Sequence, residues 1–387
     1  MPLAVFVLGL SVFALGTSEF MITGLLPGMA ADLGVGIPDA GLLISAFAIG
    51  MVVGAPLLAV ATLRLPRRLT LLGLLAVFGV AHVVGALAPG YGLLFATRIV
   101  AALACAGFWA VAAATTISLV PVVRRGRALA VLVGGLTVAN IAGVPAGTFL
   151  GQHAGWRTAF WAVAAVTLAA AAGVLALVPD TRAGDAPSVR GELQLYRRGR
   201  VWLALGVIAL YQAMIFAAFS YFAPLLTETD GLPSSWVPGV LALFGLGALA
   251  GITVGGRLAD ARPSMTLYTS IAVALTALAV LALTTDTLAA VVAVFVFGAA
   301  GFAANPALNV RTYAVAGDAP TLVGASTTSA FNVGNTAGPA LGGLTINAGL
   351  GFPSVAWVGI ALGAATLAVL TVSARIQRSD DRVPVAA

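Results

Sequence analysis

The sequence predicts an all-α membrane protein of twelve transmembrane helices, built as two pseudo-symmetric six-helix bundles. Three observations predict it. Of the 387 residues, 60% are hydrophobic and only 8% charged, and the mean hydropathy is +1.07; a soluble domain carries about 25% charged residues. Apolar runs near the roughly 20 residues that a helix needs to cross hydrocarbon recur twelve times between breaks at charges, proline and glycine. Six of these runs precede one long polar stretch, and six follow it.

The predicted spans are about 3–28, 41–62, 69–88, 92–119, 128–151, 157–178, 201–223, 237–259, 265–284, 288–308, 322–346 and 354–374. The first begins "MPLAVFVLGL", with no basic n-region and an apolar run longer than a signal peptide's, so it reads as a membrane helix. The other breaks are short. The exception, "PDTRAGDAPSVRGELQLYRRGR", divides the chain into an N-terminal bundle (1–178), a cytoplasmic linker (179–200) and a C-terminal bundle with a short tail (201–387).

Orientation follows from the arginines, which supply every basic charge because lysine is absent. With the N-terminus cytoplasmic, seventeen of nineteen fall in inside loops, the linker or the tail, among them Arg64, Arg67, Arg68, Arg257, Arg262 and Arg311. Only Arg157 falls outside. The bias predicts a multi-pass protein of the bacterial inner (cytoplasmic) membrane with both termini cytoplasmic. It also accounts for the net charge of +6 without any nucleic-acid partner. The partners expected are the lipid bilayer, protons and a small molecule, and the chain is expected to be monomeric.

Several classes are excluded. One cysteine, Cys105, allows no disulfide and no multi-cysteine metal site, and two distant histidines, His82 and His153, make no zinc motif. No HExxH, GxGD or nucleotide-binding loop is present. The sequence therefore predicts no enzyme, no cofactor and no metal, and any transport must be secondary.

The halves echo each other. "AVATLRLPRR" follows the second span and "GRLADARP" the eighth; "GVPAG" lies in the fifth and "GNTAGPALGG" in the eleventh. Parallel six-helix repeats are an architecture of secondary transporters. Two formal charges lie well inside the membrane: Glu19, about eight residues or roughly 12 Å from the outer end of the first span, and Arg98 at similar depth in the fourth. An intramembrane acid is a functional candidate by default, because low-dielectric surroundings disfavour the charged form of an acid and make loss and gain of a proton accessible. Glu19 is read as the proton-coupling acid, with Arg98 or substrate competing for its charge. The alternative is a permanent Glu19–Arg98 ion pair that fixes helix packing.

These features resemble the major facilitator superfamily, over the whole chain. The family's G-x-L-a-D-r loop motif is kept in the second half as Gly256, Leu258, Ala259 and Asp260; the first half keeps only the basic end, Arg64, Arg67 and Arg68. The fourth-helix motif survives as Arg98. The antiporter signature is matched loosely by Gly143, Pro145 and Gly147, and its ending in full by Gly334, Gly338, Pro339, Gly342 and Gly343. "GTSEFMITGLLPGMAADL", "GRALA" and "GWRTAFW" resemble one branch of the twelve-helix drug:proton antiporters, and "FAPLLTETDGL" looks most like its actinobacterial chloramphenicol-resistance group. The resemblance implies proton-coupled efflux of a small drug by alternating access, with chloramphenicol or a related phenicol as cargo. An exporter of sugars, nucleosides or other small metabolites is the alternative. It also implies a central cavity, for which helix faces nominate Phe13, Thr17, Glu19, Phe20, Thr23, Asn140, Tyr211, Gln212, Phe216, Asn305, Asn332 and Asn335. The glycine and proline clusters are expected to shape contact between the halves.

Overall fold

The computed structural model describes residues 1–62, 65–180, 199–316 and 320–380. Arg64 and most of the linker lie outside the described residues, as does the side chain of Asp260. Twelve helical spans form two six-helix bundles. In the first half α1 is Leu3–Phe20 continued by Ile22–Leu33, α2 is Ile37–Ala61, α3 is Arg67–Ala86, α4 is Tyr91–Ser118, α5 runs from Arg125 to Ala154, and α6 is Trp156–Leu177. In the second, α7 is Gly199–Phe219 continued by Phe222–Glu228, α8 is Val237–Ala261, α9 is Pro263–Leu283, α10 is Thr287–Ala303 continued by Asn305–Ala316, α11 is Pro320–Asn347, and α12 is Ser354–Asp380.

Among the described residues, eleven of these are long and apolar enough to cross a membrane. The twelfth, α11, has the length but too many threonines, asparagines and glycines. It is tolerated because it packs between α2 and α7, so its polar groups face protein and cavity instead of lipid.

The packing is pseudo-symmetric. In the first half α1 packs on α5 and α6, α2 on α4, and α3 on α4 and α6; in the second, α7 packs on α11 and α12, α8 on α10, and α9 on α10 and α12. Each pair recurs six helices on. Across the halves α2 meets α11 and α5 meets α8, which is the same contact seen from either side of the pseudo-twofold axis.

Small residues set these distances. Gly50 and Gly54 of α2 receive Ile99, Ala102 and Leu103 of α4; Gly247, Gly251 and Gly255 of α8 lie on the carbonyls of Phe295, Ala299 and Ala303 of α10. Such glycine spacing lets helix backbones approach closely. The antiporter-type glycines behave likewise, which corrects one expectation. Gly143 and Gly147 pack on Thr17 and Met21 of α1, and Gly334, Gly338 and Gly342 pack on Ala209, Ala213, Ala217 and Tyr221 of α7. Where a side chain would project they face helices of their own half, and Gly343 also meets Pro38 of the other half. Gly256 meets nothing where a side chain would project.

Two helices depart from the predicted spans in ways that matter for the site. The first continues past Pro27 and Gly28 and stops at Gly34, whose φ of 65° supplies the left-handed turn that ends a helix. Glu19 thus sits near the middle of α1 and not in its outer half. In α5, Ala139–Gly143 is a single wide π-turn, closed by the Val144 N–H on the Ala139 carbonyl. Pro145 follows at once and has no N–H to offer the preceding turn.

Candidate functional site

A cavity of about 620 Å³ lies between the halves. Its lining comes from the middle of α1, α5 and α7 and from the termini-side halves of α2, α4, α10 and α11. On the opposite side the halves are zipped together. There Ser45 Oγ donates to the Thr336 carbonyl at 2.9 Å, Gln152 Nε2 to the Ser234 carbonyl at 2.7 Å, and Tyr221, pressed against Gly41, donates to the Pro339 carbonyl at 2.8 Å. Aromatic rings seal the cavity on that side: Phe20 lines it and packs on Phe216 and Phe219, with centroids 5.7 and 6.3 Å away.

Glu19 lines the cavity and is half-buried. Among the described residues it has no ion-pair partner; the one salt bridge joins Arg157 to Asp32. Arg98 is 1% exposed and lies behind the wall, within electrostatic reach of Glu19. Its Nη1 donates to Ser18 Oγ at 2.8 Å and its Nη2 to the Ser18 carbonyl at 2.9 Å, while the guanidinium stacks over Phe47 at 4.4 Å. The permanent ion pair offered as the alternative is therefore not the arrangement seen.

Ser18 extends the network to a residue that the sequence did not connect to it. His82 Nδ1 lies 2.8 Å from the Phe78 carbonyl, which only accepts, so Nδ1 carries the hydrogen and Nε2 is left as the acceptor. Ser18 Oγ, 2.6 Å away, donates to that Nε2 while accepting from Arg98. His82 lies between the tilted rings of Phe78 and Phe160, with centroids 4.3 and 5.6 Å away. One buried chain of hydrogen bonds thus ties α4, α1 and α3 together at the residue preceding Glu19.

The cavity collects most of the nominated residues but not all. Glu19, Phe20, Asn140, Gln212, Asn305, Asn332 and Asn335 line it, joined by Asn309 and Thr328. Tyr211 does not: it is fully buried and donates to the carbonyls of Ala300 and Gly301 on α10, one residue and about 100° around the helix from Gln212. Phe216 lies behind Phe20, in the seal. Thr17 is lodged against Gly143 with its hydroxyl on the Phe13 carbonyl, and Phe13 stays outside the lining. Thr23 lies one turn beyond the aromatic seal.

Met51, Trp109, Phe302 and Phe331 line the cavity without having been nominated. A signal for one of them was present: Ala106, Trp109, Ala110 and Ala113 are spaced i, i+3, i+4, i+7, one face of α4. Of the conformational-motif residues, Arg67 donates to the Ala114 carbonyl of α4 at 3.1 Å and Arg68 to the Leu175 carbonyl of α6. Both staple α3 to carbonyls near the ends of its neighbours, where cations are favoured.

The stretches that carried the resemblance also meet in space. Asp32, next to last in "GTSEFMITGLLPGMAADL", accepts from Trp156 Nε1 at 2.9 Å and from Arg157, both in "GWRTAFW". Arg157 also donates to the Ala88 carbonyl at 3.2 Å, so the cluster joins α1 and α6 to the loop after α3.

Two pseudo-symmetric bundles around a central cavity, with a carboxylate at mid-helix, are the frame of a membrane transporter. The chain belongs to the Major Facilitator Superfamily, whose model matches residues 8–329. It is 46% identical to a chloramphenicol resistance protein of Streptomyces lividans, over 95% of both chains. It is 36% identical to the inner membrane transport protein YdhP of Escherichia coli K12, over 96% of this chain and 95% of the other. Among solved structures, a bacterial homolog of the human lysosomal transporter Spinster, inward-facing and occupied, superposes with a TM-score of 0.74 at 17% identity, over 96% of each chain. A point mutant of the nucleoside transporter NupG gives 0.75 at 15% identity, over 96% of this chain and 99% of the other. At these identities the solved structures speak for the fold alone.

Proposed function

We propose that the protein exports a small drug, chloramphenicol or a related phenicol, in exchange for protons by alternating access. The observation that carries this reading is the position of Glu19: a carboxylate at mid-helix, facing the cavity, with no cation in contact. Such an acid can take a proton from the cavity and can give it up when it moves toward Arg98, whose positive charge favours the carboxylate. The likeness to the chloramphenicol resistance protein supplies the cargo class.

With both termini cytoplasmic, the cavity lies toward the cytoplasm and the zipped side faces outward, an inward-facing arrangement ready to load drug. The protein works as a monomer in the inner membrane. A proton moving inward across 100 mV releases about 2.3 kcal/mol, and each pH unit adds about 1.4 kcal/mol. One proton per neutral drug therefore sustains a gradient of tenfold or more.

The test is accumulation of labelled chloramphenicol in a sensitive host. Cells carrying the protein should hold less drug than empty-vector cells, and an uncoupler should abolish the difference. Equal accumulation without uncoupler removes the drug assignment. Export of sugars or nucleosides is the second reading, favoured by the amide-rich wall of the second half; the same assay with labelled uridine addresses it.

A further inference from the structure

One buried acid takes no part in the site described above. Asp230 follows the second part of α7, Phe222–Glu228, and is 3% exposed. Neither of its carboxylate oxygens has a hydrogen-bond partner among the described residues. Its backbone is held instead. The Asp230 carbonyl accepts from Thr287 Oγ1 of α10 at 2.7 Å, and Gly231, with φ of 66°, turns the chain so that the Leu232 N–H reaches the Leu226 carbonyl at 3.0 Å. The acid is thereby placed just past the C-terminal end of a helix, where the backbone dipole disfavours negative charge.

The titratable groups around this segment do not offset that. Glu228 on the segment itself, Asp286 at the start of α10, Asp32 near the end of α1 and His153 at the end of α5 are all exposed, and Asp32 is paired with Arg157. Asp39 and Tyr91 lie within electrostatic reach of Tyr221, at the segment's other end, and α8 contributes no titratable group here. Burial alone raises the Asp230 carboxyl, to about 6. An ionised carboxylate without donors is costly to bury, and a protonated one much less so.

The same stretch closes the seam between the halves. Phe222–Glu228 packs on Ile22–Leu33 of α1, and beyond Asp230 the Ser234 carbonyl accepts from Gln152 of α5. Parting the halves on this side strips both contacts from the segment that carries Asp230.

We infer that Asp230 is a second proton-binding site, separate from Glu19: a neutral acid while the halves are closed on this side, and a carboxylate once they part and water reaches it. Closure takes up a proton and opening releases it, so acid favours the arrangement seen here. The proton comes from water on that side and returns to it, which makes the site a gauge of pH and no part of the exchange that drives export. The inference rests on the alternating-access reading, but on neither the cargo nor Glu19.

The test follows the distance across the seam in the purified full chain, with spin labels on His153→Cys and Ser234→Cys in a Cys105→Ala background. Ser234 gives the seam only its carbonyl, so that contact survives labelling, and the exposed histidine is removed as a competing titrating group. The short, closed distance should dominate at about pH 4.5. The ratio of parted to closed molecules should rise about tenfold or more by about pH 7, as linkage requires of a carboxyl near 6 when buried and near 3.8 when exposed. Asp230→Asn and Asp230→Ala should each hold the ratio flat while still unfolding cooperatively, and Glu19→Gln should keep the rise. A ratio that ignores pH in the parent, or a rise that survives in both Asp230 variants, overturns the site and leaves proton-coupled export standing. A rise lost in Glu19→Gln overturns a site separate from Glu19. A rise lost only in the Asp230 variants, in a protein whose export ignores an uncoupler, upholds the site and removes the proton-exchange reading.

Discussion

Arg98 grips Ser18 through both terminal nitrogens, 2.8 Å to its Oγ and 2.9 Å to its carbonyl, and Ser18 is the residue immediately before Glu19. Both terminal nitrogens of the buried cation are held by the backbone and hydroxyl of α1, its Nε has no partner among the described residues, and the neighbouring carboxylate is left to the cavity. Ser18→Ala should orphan one Arg98 donor and the His82 Nε2 acceptor together. Each orphaned buried group costs about 1–3 kcal/mol; thermal unfolding in detergent should show a clear drop in midpoint.

Glu19→Gln keeps the size and the hydrogen-bonding reach of the side chain and removes its exchangeable charge. Uncoupler-sensitive export should be lost, with drug binding to the purified protein retained within a few-fold. Wild-type resistance in this variant would take Glu19 out of the mechanism.

His82→Phe retains the ring between Phe78 and Phe160 and removes the acceptor for Ser18. The Ser18 hydroxyl is then free to turn, and Arg98 loses the constraint on its Oγ partner. Proton-coupled exchange should shift its pH profile relative to wild type, whereas a purely packing role for His82 would leave the profile in place and alter only stability.

Gly251 and Gly256 share α8 but should respond oppositely to alanine. A methyl at Gly251 overlaps the Ala299 carbonyl, a backbone atom that cannot move without parting α8 from α10. At Gly256 nothing lies within 4 Å, and alanine gains about 1 kcal/mol of helix propensity over glycine. Unfolding midpoints should fall for Gly251→Ala and hold or rise for Gly256→Ala.

Asp230 sits in the loop between α7 and α8, 3% exposed, with neither carboxylate oxygen partnered among the described residues. Burial pushes its carboxyl up to about 6 from an ordinary 3.8. The folded state thus binds this proton more tightly than the unfolded state. Stability from Asp230 is fully present below about pH 4 and is lost as pH rises toward 6. Asp230→Asn should flatten that slope and raise the unfolding midpoint at about pH 7.5.

The repeat, the spans and the fold were legible because lipid demands long apolar helices and because the halves kept matching loops and glycines. Glu19 was legible because a carboxylate in such a run is rare. The role of Ser18 was not: a serine in a helix can simply bond back to its own backbone, and only the fold brings Arg98 and His82 to it from 80 and 64 residues away. Tyr211 and Gln212 were nominated together, and helical rotation sends one to α10 and the other to the cavity. Extension of α1 past Pro27 was hidden because Gly34 ends the helix through a backbone angle that sequence reports only as one glycine among 46.

The uneven cavity walls carry a consequence for how such a protein diversifies. On the proposed reading, the proton-exchanging Glu19 belongs to one bundle, whereas the amides lining the cavity, Asn140 apart, belong to the other. Substitutions at Gln212, Asn305 or Asn335 should therefore change which compounds are carried while Glu19 is untouched. The range of cargo can then drift through the second half alone, and variants with altered cargo should cluster there.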